Sequence, residues 1–256
     1  MEKKLALITG ATSGIGQATA KLFASRHINL ILCGRRKERL EMLEKELGQS
    51  VDVDILAFDI SQPHEVKSAF LSIKEQVPHI DILINNAGNA HGLGPIDKGD
   101  MNDFEKMIDT NLKGLLYVSQ EIIPSMVKKK SGHIINLGSI AGKEVYPKGN
   151  VYCATKSAVD ALSKAMRIDL AEHQIKVSNI NPGLVETEFS LVRFKGNQEL
   201  AKKTYQGFTP LTPFDIADLI YFIISRPVHV NLADCLILPL AQPCATTVIR
   251  ESTREG

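Results

Sequence analysis

Short apolar runs recur along the chain, each stopping at a glycine or polar residue: LALITG (5–10), LILCGR (30–35), DILAFD (54–59), DILINNAG (81–88), HIINLGS (133–139) and KVSNINPG (176–183). DCLILPL (234–240) adds a last one. Helical patterns lie between them. GIGQATAKLFASR sets Ile15, Ala18, Leu22 and Phe23 on one stripe, and RRKERLEMLEKELG carries Leu40, Leu43 and Leu47 among charges before stopping at Gly48. Residues 101–128 and 152–170 continue the helical period. In TPFDIADLIYFIIS, Thr212 reads as an N-cap, Pro213 as the first helical residue and Asp215 as the partner closing a capping box. Strands alternating with helices require parallel pairing through right-handed crossovers, and nearly continuous Leu/Ile/Val runs require burial on both faces. The expected fold class is α/β: one doubly wound parallel sheet forming a single domain over residues 1–256.

That architecture places a ligand before any motif is consulted, because open parallel sheets bind outside the carboxyl ends of their strands. Here those ends carry Gly10, Arg35, Asp59, Asn85 to Gly88, Ser139 and Pro182–Gly183. The charge balance, 30 basic against 29 acidic residues, supplies no field to recruit nucleic acid or an anionic membrane. Cys33, Cys153, Cys235 and Cys244 show no CxxC spacing, and the seven histidines form no ligand cluster. These thiols read as reduced and mostly buried. No apolar run approaches the ~18 residues needed to span a membrane, and the apolar run in MEKKLALITG is too short for a signal-peptide core. The expectation is a soluble, cytoplasmic protein without a metal site.

TGATSGIG (9–16) follows the first strand and opens the first helix. Its glycines, Gly10, Gly14 and Gly16, are spaced GxxxGxG, which is neither the GxGxxG nor the P-loop pattern. Residues without side chains still let backbone N–H groups and the positive end of the helix approach a pyrophosphate; the plainer alternative is a tight turn only. At the next strand end, NAD binding calls for an acidic residue about 20 residues beyond the glycines. The chain offers CGRRKER instead, with Arg35 and Arg36. Guanidinium groups suit a 2′-phosphate through forked, charge-assisted hydrogen bonds. Two cations at a helix N-terminus also oppose its dipole unless an anion lies nearby. The cofactor expected is NADP, in a Rossmann-type sheet.

In NVYCATKSAVDAL, Tyr152 and Lys156 stand one helical turn apart on a common face. A free phenol titrates near pH ~10, but a cation held close favours the phenolate, and an oxidised nicotinamide acts in the same sense. Such a phenol can exchange a proton with a substrate hydroxyl or carbonyl while hydride passes at the adjacent carbon. Ser139, ending the preceding strand, can donate to the same oxygen. Tyr-x-x-x-Lys alone is common in helices; its position after a strand-terminal serine and a glycine loop is what gives it weight.

TGATSGIG, NNAG, DTNLKG, NLGS, YCATK and NPG follow one another in the order of the short-chain dehydrogenase/reductase family, which the chain resembles over residues 9 to 187. The resemblance implies Tyr152 as acid/base, Lys156 lowering its pKa and binding the nicotinamide ribose, Ser139 orienting the substrate, and Asn111 holding a water in a proton relay. It implies cofactor contacts from Gly10, Thr12, Ser13, Gly14, Ile15 and Gly16, from Asp59 and Ile60 near adenine, and from Asn86, Ala87 and Gly88 near the ribose. Pro182, Gly183, Val185 and Thr187 would wrap the nicotinamide. Ser13 stands where some NADP-preferring relatives carry a cation, so cofactor preference rests on Arg35 and Arg36.

EFSLVRFKG, KTYQ, LTPFDIAD and PVHVNLADCLILP are similar to the NADP-dependent serine, L-allo-threonine and 3-hydroxy acid dehydrogenase subgroup. Residues 184–212 read as a substrate lid. A small carboxylate substrate needs a cation, with Arg193 the candidate and Lys148 behind it; a surface charge on a loop is the alternative for Arg193. The tail, 241–256, lacks the Asp-Gly-Gly ending common in the family, and its apolar residues suggest packing against a neighbouring subunit. Family resemblance implies a homotetramer. Ala154, Ser157, Ala158, Ala161 and Ala165 would permit close helix contact between subunits, or could equally pack on their own sheet. Other readings are a reductase of bulkier ketones such as 3-oxoacyl thioesters, and a non-catalytic NADP-binding sensor.

Overall fold

Burial of both faces of the central strands organises the molecule. The computed structural model describes residues 3–77 and 79–251. Its seven strands are β1 (Leu5–Thr9), β2 (Asn29–Gly34), β3 (Val53–Ala57), β4 (Ile82–Asn85), β5 (Gly132–Leu137), β6 (Ile175–Pro182) and β7 (Asp234–Ile237). All are parallel, in the order β3-β2-β1-β4-β5-β6-β7. The chain runs outward from β1 to β3, then returns to β4 on the other side of β1. This reversal is the switch point where a crevice opens at the carboxyl edge.

Side chains on a strand alternate between faces. Leu7, Ile31, Leu83, Ile134 and Val177 therefore join one core, and Ile8, Leu30, Leu32, Ile84, Ile135 and Ile180 join the other. The first core is closed by helices α3 (Pro63–Ile73), α5 (Leu115–Lys129) and α6 (Asn150–Asp169), through Phe70, Val118, Met126, Val159 and Met166. The second is closed by α1 (Gly14–Ser25), α2 (Lys37–Leu47) and α9 (Pro213–Ile224), through Phe23, Leu40, Leu43, Ile216 and Ile220. Each such fully buried aliphatic or phenyl side chain contributes roughly 1.5–3 kcal/mol.

Most helix boundaries agree with the pattern reading. The α2 stripe of Leu40, Leu43 and Leu47 is buried. In α1, Leu22 and Phe23 are buried, while Ile15 and Ala18 are half-buried. At α9, the Thr212 hydroxyl accepts from Asp215 N at 3.3 Å and Thr212 N donates to the Asp215 carboxylate at 2.7 Å, which completes the capping box.

Residues 101–128 are not one regular helix. A π-helical turn, Asp109–Gly114, separates α4 (Met101–Ile108) from α5, and it buries Asn111. Extra residues of this kind re-aim a side chain, commonly at a functional site. Along α6 the inward face is Cys153, Lys156, Val159, Asp160, Ser163 and Met166. Ala154, Ser157, Ala161 and Ala165 are exposed and Ala158 is half-buried, so this small-residue stripe does not pack on its own sheet. Among the cysteines, only Cys33 and Cys153 are buried; Cys235 and Cys244 are partly exposed. No helix among the described residues is long and apolar enough to cross a membrane, and they hold no metal-ligating cluster.

The segment 184–212 is closed at its base by a parallel bridge between Val185 and Leu211 and carries α7 (Phe189–Arg193) and α8 (Gln198–Tyr205). The tail from residue 241 makes contacts with this segment of its own chain, while Leu240 and Ile249 remain exposed. The Gln242 side chain accepts from Leu184 N at 2.8 Å, Glu251 N donates to Gly207 O at 2.7 Å, and the Arg250 guanidinium covers the Phe208 ring at 5.3 Å. Backbone groups of the 184–212 segment that would otherwise face water supply the partners. Residues 252–256 of that predicted tail lie outside the described residues.

Candidate active site

The glycine turn between β1 and α1 is shaped by backbone constraints. Gly10 and Gly14 have φ of +66° and +52°, a conformation that a side chain would strain. A methyl at Gly16 would collide with the Gly10 carbonyl oxygen. Asn86 keeps the turn in place: its amide donates to Thr9 O at 2.9 Å and Gly10 O at 3.2 Å. The helix that follows has no side chain capping its N-terminus and no acidic residue in its first turn. Its leading N–H groups and positive dipole end therefore face the crevice free of an internal anion, the donor set a pyrophosphate requires.

The two arginines after β2 play different parts. Arg35 is largely exposed, and its ion pair among the described residues is with Asp59, at 3.5 Å. Burial opposes ionisation of Asp59, yet hydrogen bonds from Ser61 and the charge of Arg35 hold its carboxyl below the usual range. Arg36, expected to face a phosphate, lines the cavity and is also engaged by the protein. It donates to the Thr12 hydroxyl at 2.8 Å, the Ser13 hydroxyl at 2.8 Å and the Glu188 carboxylate at 2.8 Å. Arg39, one turn along α2, meets the same carboxylate at 2.8 Å.

At the far end of the crevice, α6 presents Tyr152 and Lys156 to Ser139. The Lys156 ammonium donates to Leu137 O at 2.7 Å, and burial pulls its pKa down to about 8. Burial pushes the Tyr152 phenol above its ordinary value, against the charge of Arg193 and a hydrogen bond from Ser139 that favour phenolate. The lysine was expected to lower this pKa. In the structure the ammonium donates to the end of β5, and the neighbouring charge that favours the phenolate is that of Arg193. Asn111 lies behind these residues. Its amide oxygen accepts from Asn89 N at 2.8 Å, and its nitrogen donates to Asn89 O at 2.8 Å and to Thr155 at 3.1 Å.

Arg193 closes the end of the cavity beside Tyr152. It leaves the last turn of α7 and points inward, its guanidinium 4.8 Å from the Tyr152 ring centre, 5.1 Å from Phe189 and 5.9 Å from Tyr146. One Nη donates to the Tyr146 hydroxyl at 2.9 Å, while Nε is buried with no hydrogen-bond partner among the described residues. Lys148 is exposed and away from the cavity, so the second candidate cation drops out. The 184–212 segment is also held from within: the Tyr205 hydroxyl donates to Val185 O at 2.9 Å and pairs with Ser190 at 2.7 Å.

One cavity of about 530 Å³ joins both ends. Of the expected residues, Gly10, Thr12 to Ile15, Arg35, Arg36, Asp59, Ile60, Asn86 to Gly88, Ser139, Tyr152, Lys156, Pro182, Gly183, Val185, Thr187 and Arg193 line it. Gly16 and Asn111 stand behind the lining. A side-chain-free turn at an uncapped helix end, an available guanidinium, and a Tyr–Lys–Ser group at the opposite end together fit a phosphorylated dinucleotide.

Sequence reasoning missed Arg39, Glu188, Tyr146 and the polar group beneath Ser139. In that group the Asn181 side chain accepts from Ser139 N at 3.3 Å and donates to Asp234 at 2.7 Å, and Lys143 bridges Asp234 and Asp160 at 2.7 and 2.5 Å. Only Asp160 left a trace, one turn beyond Lys156 on the same face.

The chain belongs to the short-chain dehydrogenases: the family model described as short chain dehydrogenase matches residues 4–197. It is 43% identical over 249 residues to the NADP-dependent 3-hydroxy acid dehydrogenase YdfG of Salmonella typhi, covering 97% of this chain and 100% of that protein. It is 42% identical over 247 residues to the serine 3-dehydrogenase of Agrobacterium fabrum, covering 96% and 98% respectively. The closed form of serine dehydrogenase complexed with NADP+ superposes with a TM-score of 0.90 at 40% identity, covering 97% of this chain and 100% of that one.

Proposed function

We propose that the protein is an NADP-dependent oxidoreductase of small 3-hydroxy acids, acting at the 3-position of serine, allo-threonine or a related 3-hydroxy carboxylate, or on the matching semialdehyde. The observation that carries this reading is Arg193, an inward guanidinium with an unpartnered Nε beside the Tyr152 phenol. A forked donor at that place selects a carboxylate a short distance from the reacting carbon. The names of the relatives support the same substrate class.

Bound NADP supplies the carbon that accepts or returns hydride. Arg35 is the available cation for its 2′-phosphate, and the glycine turn and α1 N-terminus would hold its pyrophosphate. Ser139 and Tyr152 hold the substrate oxygen between them. In reduction the protonated phenol donates to the forming alkoxide; in oxidation it must first lose that proton. Burial keeps Tyr152 protonated at neutral pH, which suits the acid role, whereas the charge of Arg193, and the positive ring of oxidised NADP when bound, favour the base role.

A panel of 3-hydroxy acids, their semialdehydes and a 3-oxoacyl thioester, each assayed with NADP(H) and NAD(H), tests the reading. The expected result is turnover of the acids with NADP preferred. Faster turnover of the thioester, or a preference for NAD, would refute it.

A further inference from the structure

The phosphate-facing edge of the crevice contains an acidic group that a clamp for an anionic ligand does not need. Glu188 lies at the lid's entry into α7, far in sequence from α2, yet its carboxylate meets Arg36 Nη1 at 2.8 Å and Arg39 Nη1 at 2.8 Å. A second Arg39 contact is 3.2 Å long. Arg36 simultaneously grips the hydroxyls of Thr12 and Ser13 in the glycine turn. Two guanidinium groups converging on two carboxylate oxygens is the geometry they would otherwise offer to a phosphate.

We propose that Glu188 is a cofactor-selectivity residue: its carboxylate occupies the Arg36 and Arg39 donors as an internal substitute for a 2′-phosphate, and so weakens binding of the 2′-phosphorylated cofactor. This rests on the NADP reading above and adds to it a residue that opposes the preference. Three features support it. The competing charge is held in place, since the Arg36 hydrogen bond keeps the Glu188 carboxyl below its usual range. The group lines the same cavity as Arg35, the exposed cation left for the phosphate. No other acidic side chain faces Arg36 or Arg39 among the described residues, so removing this one changes the local charge by a full unit. A cofactor without the 2′-phosphate leaves the Glu188 pairs undisturbed.

The test compares adenosine 2′,5′-bisphosphate with adenosine 5′-diphosphate, neither of which carries the nicotinamide, by titration calorimetry on the unaltered chain and on Glu188→Gln. The substitution keeps shape and removes charge at a side chain that is 43% exposed, so folding is retained. For a unit charge a few ångströms away and partly screened, the 2′-phosphorylated nucleotide is expected to bind about three- to tenfold tighter to the variant, with the other nucleotide unchanged. Glu188→Ala should act in the same direction. Unchanged or weaker binding of the bisphosphate, or equal tightening of both nucleotides, overturns the proposal. If the unaltered chain shows no preference for the bisphosphate, the NADP reading fails and the proposal fails with it; a preference that Glu188→Gln leaves intact or lowers refutes the proposal alone.

Discussion

Replacing Arg193 by alanine separates substrate recognition from proton transfer. The guanidinium has one free buried donor for a carboxylate, and its remaining contacts are the Tyr146 hydroxyl and three aromatic rings. A hydrogen bond to a charged group contributes about 1.5–3 kcal/mol, and the half-buried position favours the lower end, so kcat/KM for a 3-hydroxy acid should fall about 10- to 30-fold. For the neutral methyl ester of the same acid only the contact with Tyr152 is lost, about 0.5–1 kcal/mol, or roughly two- to fivefold. The pH profile provides a second readout. Arg193 lowers the phenol's pKa; without it that pKa rises further. Oxidation needs the deprotonated phenol, so its acid limb should move to higher pH. Arg193→Lys keeps the charge but loses the fork. It should restore the pH profile more fully than the affinity for the acid. Steady-state kinetics on acid and ester across pH 6 to 10 measure all of this. Equal losses for acid and ester, or an unchanged KM for the acid, would refute the argument.

Two further outcomes follow from other residues. Tyr152→Phe should abolish turnover in both directions while NADPH affinity, read by fluorescence, stays within about twofold, because the phenol's proton and not its ring carries the chemistry; measurable turnover would remove Tyr152 from the acid/base role. His133 is buried against Ser178 at 2.9 Å, and burial followed by the charges of Lys176 and Lys4 pulls its pKa to about 3. Its folded pKa lies below the unfolded value of ~6.5, so the unfolded chain takes up the proton first and stability falls as pH drops from about 6.5 towards 3. Between pH 7 and 5 this amounts to about 2 kcal/mol. Urea unfolding should show that loss in the unaltered chain and not in His133→Gln; an equal loss in both would show that other groups cause it.

The fold was legible because its signals are local. Strand ends, the α2 stripe and the Thr212–Asp215 capping box each depend on residues within a few positions of one another, and all appear as read. The glycine turn and the Ser139–Tyr152–Lys156 group were legible as motifs joined by the parallel order of the strands. Orientation was not. Lys156 donates to the Leu137 carbonyl, and Arg193, from the end of α7, lies against the Tyr152 ring. The interruption of the helix at Asn111 was readable only as a break, since its purpose depends on Asn89 and Thr155 arriving from other elements.

The chain's own order of residues determined the α/β architecture, the edge of the sheet where the cavity opens, and the identity of the groups there that can carry acid/base chemistry. Only the tertiary structure decided which charges meet. Glu188 reaches Arg36 and Arg39, Asn181 reaches Ser139, and the tail reaches its own lid, all through contacts between segments remote in sequence. The physical reason is one of range: backbone propensity and hydrophobic period act over a few residues, whereas an ion pair or buried amide is defined by distance in space, which no local pattern encodes.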